Sequence, residues 1–157
     1  MRHADLAEQA CPVARASTIV GERWVWPILR SAFVGARRFE DFQRGTGAAR
    51  TILTDRLARL VDDGILSKDL PTGADSGHRE YRLTEKGEAL YPVFLALLQW
   101  GSEWTQLPAD TVAVEHSSCG HVTQPVVVCA ACHEPLARRD TRARYTPNAR
   151  TIGTPGR

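Results

Sequence analysis

Two short Cys/His pairs near the C-terminal end are the residues best suited to metal or redox chemistry. His116-x2-Cys119 is followed, after nine intervening residues, by Cys129-x2-Cys132. Two such pairs joined by a short hairpin can wrap a tetrahedral zinc ion with one imidazole and three thiolates. Pro125 and Val126–Val128 suit the connecting hairpin, and zinc is the one cofactor the sequence suggests. His121 and His133 are rival nitrogen ligands. A hairpin with reduced, unliganded thiols, or a Cys129–Cys132 redox pair, satisfies the same pattern. CAACH also matches the signature for covalent haem attachment. That attachment occurs outside the cytoplasm, and MRHADLAEQA lacks the apolar stretch of a secretory signal, so a cytoplasmic protein without haem is expected.

A second cluster carries charge. Arg50, Arg56 and Arg59 share one segment with Thr51, Thr54, Leu53, Leu57, Leu60 and Val61. The apolar residues recur at i, i+4, i+7 and i+8, the stripe of a core-facing helix, and the arginines and threonines fall elsewhere on the wheel. Two β-type runs, ILSKDL and REYRLT, follow at once around the polar, Gly-rich PTGADSGH. A guanidinium-bearing helix followed by a β-hairpin is what a winged helix-turn-helix uses to lay a helix in the DNA major groove and a hairpin on the adjacent backbone.

Charge supports this. The net charge is only +2, but it is unevenly spread. Residues 37–59 hold six arginines against three acids, and residues 137–157 hold six against one. Positive potential is therefore local, as groove binding requires. No GxxxxGK[ST] loop, GxSxG elbow or HExxH motif is present, so no catalytic or small-molecule cofactor-binding residue is assigned and an enzyme is not expected. The alternative to a DNA-binding regulator is an adaptor whose winged helix docks protein.

Several elements must position these groups. Leu6 to Val20 has helical spacing broken by Pro12, and ERWVWPILRSAF presents Trp24, Ile28, Leu29 and Ala32–Phe33 to a core. Pro27 in that second segment predicts a kink or a late helix start. RRFEDFQ places Phe39 and Phe42 on one face, and Gly45-Thr46-Gly47 is expected to turn tightly. The arginine helix is predicted over Ala48 to Asp63, with Gly64 ending it. Thr84 suits an N-cap for a last helix from Glu85 to about Leu107. That helix carries a stripe of Val93, Leu97, Trp100, Trp104 and Leu107, with Tyr91, Phe94, Leu95 and Leu98 covering another side. So broad an apolar surface marks either a buried core helix or a partner, and for a DNA-binding chain a second copy matches a palindromic site. The expected organisation is a mainly α winged-helix and dimerisation domain over 1–108, a Cys/His β-type segment over 109–136, and a disordered Arg-rich tail over 137–157.

CPVARASTIVGERW–ILR, RRFEDFQ, ILTDRLARLVDDGIL, REYRLTEKGEALYPV and WGSEW, in this order, resemble the HxlR family of bacterial winged-helix regulators, from about Cys11 to Trp104. GERW stands where the family often has GGKW. The resemblance implies a homodimeric transcription factor on operator DNA, its N-terminal and last helices forming the dimer interface. It implies that Arg50, Thr51 and Thr54 face base edges, with guanine and thymine as natural targets. Arg56 and Arg59 would reach phosphates, and His78 and Arg79 would sit at the end of the wing loop. A cysteine at the position of Cys11 senses oxidants or electrophiles in part of the family, which makes Cys11 a candidate thiol switch and leaves a plain buried thiol as the alternative. The small-molecule effector, if one exists, is not specified.

Overall fold

A computed structural model describes residues 6–7, 10–69, 79–106 and 112–144. Its first part runs α1 (Pro12–Val20), α2 (Val25–Phe33), α3 (Phe39–Thr46), α4 (Arg50–Asp62), β1 (Leu66–Asp69), β2 (Glu80–Leu83) and the short α5 (Glu85–Glu88). The described residues fall into two compact units, one ending at Leu90 and the other beginning at Tyr91. Among them, no helix is long and apolar enough to cross a membrane.

The prolines set where the first helices begin. Pro12 occupies the first position of α1, where a missing N–H breaks no intrahelical bond. Helix α2 starts late, at Val25 after Trp24, so Pro27 lies in the first turn. The first α-helical bond there runs from the Ile28 N–H to the Trp24 carbonyl, one residue past the proline.

One face of each helix feeds a single core. Val25, Ile28, Leu29 and Ala32 of α2, Phe42 of α3, and Leu53, Leu57 and Leu60 of α4 are buried. Ala48, Ile65, Leu66 and Tyr81 close it, and Trp24, Phe33, Phe39 and Val61 pack at its margin. The leucine spacing in α4 therefore has its expected consequence. Burying a leucine contributes roughly 1.5–3 kcal/mol, so this stripe fixes which side of α4 faces out.

The α3–α4 turn is shorter than expected. Gly45 and Thr46 continue α3, and only Gly47 turns, with φ +66°. A Cβ on Gly45 would lie 2.5 Å from the Ser31 Oγ, so glycine there serves the close approach of α2 and α3. The Thr46 hydroxyl oxygen accepts from the Ala48 N–H at 3.2 Å. Ala48 is buried in the turn and α4 proper begins at Arg50.

Gly64 ends α4 in a Schellman arrangement. With φ +69°, it lets its own N–H reach the Val61 carbonyl and the Ile65 N–H reach that of Leu60, each at 2.9 Å. The chain passes directly into β1, antiparallel to β2 with Leu66 opposite Leu83 and Asp69 opposite Glu80. The Tyr81 N–H donates to the Arg37 carbonyl at 2.8 Å, and the Tyr81 ring meets Phe42 edge-on at 5.8 Å, so the hairpin is anchored to α3. Thr84 caps α5 by accepting from the Gly87 N–H at 3.1 Å. The wing loop, residues 70–78, lies outside the described residues.

The last helix differs from expectation. Instead of one helix from Glu85 to about Leu107, α5 ends at Glu88 and α6 runs from Tyr91 to Trp104. Pro92 is the physical reason. It cannot donate to the Glu88 carbonyl, and its ring crowds that carbonyl in a continuous helix.

The second unit contains α6, the hairpin β3 (Val114–His116) and β4 (His121–Thr123), a Val128–Pro135 bridge and a 3₁₀ turn at Arg138–Asp140. None of its described residues is fully buried. The 3₁₀ turn falls in the segment expected to be disordered; residues 145–157 of that tail lie outside the described residues.

Candidate nucleic-acid interface

Helix α4 turns its leucines inward and exposes Arg50, Thr51, Thr54 and Arg59. Arg50 lies on the flank nearer the hairpin. With Thr54 it borders a cleft of about 550 Å³ whose remaining lining is Arg38, Phe39, Glu40, Lys68, Arg79 and Tyr81. The Arg50 guanidinium stands 4.7 Å from the Phe39 ring centroid, and the Lys68 ammonium 5.2 Å from that of Tyr81. Four cations thus converge on one cleft, two of them steadied on aromatic faces. The arrangement suits a polyanion: guanidinium groups and backbone N–H groups can take phosphate oxygens while Arg50 and the threonines reach base edges.

Arg38 and Lys68 escaped the sequence reading. The signal for Lys68 was the strand register, which pairs it with Tyr81. Arg38 immediately precedes α3. Its N–H donates to the Asp41 carboxylate at 3.1 Å. That bond first, then the Arg44 guanidinium and the Arg37 N–H, hold the Asp41 carboxyl below its ordinary value.

Arg56 does not point where the sequence placed it. It lies on the opposite flank of α4 from Arg50, half-buried, with Nη2 2.9 Å from Glu22 and Nη1 2.7 Å from Asp55. Its Nε is buried without a partner, beside a cavity of about 210 Å³. In the structure the Arg56 guanidinium is paired with two carboxylates rather than turned outward. Arg59 remains exposed, 3.4 Å from Asp55 and 3.9 Å from Glu22. Arg79 is exposed just before β2, and His78 lies outside the described residues.

The zinc expectation fares differently from the arginine helix. The hairpin β3–β4 closes within the first pair, between His116 and His121, instead of connecting the two pairs. Cys119 Sγ lies 3.4 Å from His116 Nδ1. Cys129 and Cys132 sit in a separate turn, closed by the His133 N–H to the Cys129 carbonyl at 2.8 Å and by the Val128–Pro135 bridge. Hydrogen bonds from the Cys132 and Ala131 N–H groups, and from the Cys132 side chain, lower the Cys129 thiol below its usual range. Among the described residues, no three His, Cys, Asp or Glu side chains converge to hold a metal ion. His116–Cys119 and Cys129–Cys132 are two local pairs among the described residues, each fixed by its own turn.

Two further sets are placed by the fold. Val93, Leu97, Trp100 and Trp104 share one side of α6 and are 50%, 42%, 58% and 72% exposed. Leu107 lies outside the described residues. Cys11 is half-buried at the N-cap of α1, its carbonyl accepting from the Arg15 N–H at 3.0 Å.

A helix pair joined by a tight turn, with the second helix presenting cations and running into a two-stranded hairpin, defines a winged helix-turn-helix protein. The profile of the HxlR-like helix-turn-helix family matches residues 19–108. The chain belongs to that family, whose curated relatives are named as HTH-type transcriptional regulators. It is 39% identical over 136 residues to the HTH-type transcriptional regulator Rv3095 of Mycobacterium tuberculosis, covering 86% of this chain and 85% of that one. The crystal structure of PA1607, a candidate transcription factor, superposes with a TM-score of 0.81 at 37% identity, over 90% of this chain and 99% of that one. The reduced form of the redox regulator HypR gives a TM-score of 0.53 at 29% identity, over 59% of this chain and 92% of that one.

Proposed function

We propose that this transcriptional regulator is a cytoplasmic homodimer that binds a palindromic operator, placing the N-terminal half of α4 in the major groove and the β1–β2 wing on the flanking backbone. It performs no catalysis. The observation that carries this is the cleft between α4 and the hairpin, where Arg38, Arg50, Lys68 and Arg79 gather around two aromatic rings. In this assignment Arg50, Thr51 and Thr54 read bases, while Arg59 and the wing residues His78 and Arg79 take phosphates. Arg56 serves inside the protein.

The apolar side of α6, with Val93, Leu97, Trp100 and Trp104, is the dimer surface. A two-fold dimer would set its two reading helices on half-sites about 34–36 Å apart. Selection of bound fragments from a genomic pool tests both parts at once. An inverted repeat with half-sites about one helical turn apart supports the proposal; no enrichment, or loss of binding that does not steepen with salt, removes it.

Response to thiol oxidation is a second layer, favoured by the similarity to HypR and by Cys11 at the start of α1. Diamide should change operator affinity in the wild type and leave Cys11→Ser unaffected. Equal responses from both proteins would eliminate Cys11 as the sensor.

A further inference from the structure

Arg56 is an arginine of the recognition helix that is occupied before DNA arrives. Its side chain is 20% exposed, both terminal nitrogens face carboxylates at 2.9 and 2.7 Å, and its Nε is buried. Asp55 belongs to α4 itself, but Glu22 comes from the turn between α1 and α2 and reaches across to the helix. The same carboxylate lies 3.9 Å from Arg59, whose side chain is 59% exposed. One residue outside the reading helix thus engages two of its three arginines.

We infer that Glu22 limits sequence-independent DNA binding, by retaining Arg56 against the protein and drawing on Arg59 so that the C-terminal half of α4 adds little to phosphate contact. This rests on the DNA-binding reading above. The physical basis is counterion release. Each phosphate neutralised steepens the fall of affinity with salt by about 0.9 logarithmic units per decade, equally on every sequence. A carboxylate within a Debye length of about 10 Å subtracts its charge from the field the helix presents. An arginine whose charge is already offset by two carboxylates adds little to this term. Restraining this term favours the operator over the far more numerous unrelated sites, where the affinity ratio decides occupancy.

The test compares wild type, Glu22→Gln and Glu22→Gln/Arg56→Gln on a duplex of random sequence at about 50 and about 200 mM salt. Glutamine preserves the size of the side chain and removes the charge that holds Arg56 and draws on Arg59. Glu22→Gln should raise the ratio of the two affinities about threefold, the effect of one added phosphate contact over that range. The double variant restores the local net charge and should remove the part of the gain that Arg56 carries. A wild-type ratio in the single variant overturns the inference. So does a gain that persists undiminished in the double variant, since Arg56 would then carry none of the effect. Absence of DNA binding by the wild type would instead bring down the parent reading, and this inference with it.

Discussion

Arg50 and Arg56 are the same residue type on one helix, six positions apart, and their tertiary surroundings differ sharply. Arg50 is exposed and rests over Phe39, which narrows its conformations before a base is met and reduces the ordering cost of contact. Replacing it with alanine should cost about 1–3 kcal/mol of discrimination at one base pair of the half-site while leaving non-specific affinity nearly intact. Competition titrations with single-position operator variants would show this, and unchanged discrimination would move the reading residue elsewhere. Arg59→Ala should weaken operator and random DNA by the same factor and make the salt slope shallower. Periodicity alone separates apolar from charged sides of α4, so the outward position of Arg50 and Arg59 was legible. The burial of Arg56 was not, because its partner Glu22 is 34 residues away in the chain.

The elements around the cleft depend on a few local devices. Asp41, next to the cleft-lining Arg38, accepts N–H groups at the start of α3, and its carboxyl is held below the ordinary value of 3.8. A depressed carboxylate contributes stability above its unfolded value, and that contribution is lost as pH falls through the folded value. Asp41→Asn should therefore melt lower than wild type near neutral pH, and the gap should close as the solution is acidified below that range. A constant gap at all pH values would assign the effect to packing. Gly64 is the other device. Its φ of +69° admits a Cβ only with strain, so Gly64→Ala should destabilise the first unit by about 1 kcal/mol in denaturant titrations. Gly64 was readable as a helix end, whereas the role of Asp41 at the start of α3 was not read from the sequence. The division of the last helix at Ala89–Leu90 follows from Pro92, a residue whose effect is as local as that of Pro27 but which the apolar stripe around it concealed.

The two units differ in how they hold together. The first has a buried core drawn from α2, α3, α4 and the hairpin; the second buries none of its described residues and leaves two tryptophans of α6 mostly exposed. A polypeptide with so much apolar surface gains most by covering it, and a second copy supplies a matching face. On the proposed dimer, Trp100→Glu should give monomer in sedimentation experiments and weaken operator binding by more than tenfold, because two half-sites would no longer be held together. A dimer that survives Leu97→Glu and Trp100→Glu together would place the interface on another surface.

The order of the first four helices, the hairpin and the cation-bearing helix were determined by sequence alone, since each depends on residue spacing within one segment: leucines at a helical period, glycine at φ above zero, prolines without an N–H. Tertiary structure decided which of those charges remain available. It gathered Arg38 and Lys68 with Arg50 into one cleft, matched Arg56 to Glu22, and kept the two Cys/His pairs in separate turns. Such outcomes are set by distances between segments that no local periodicity encodes.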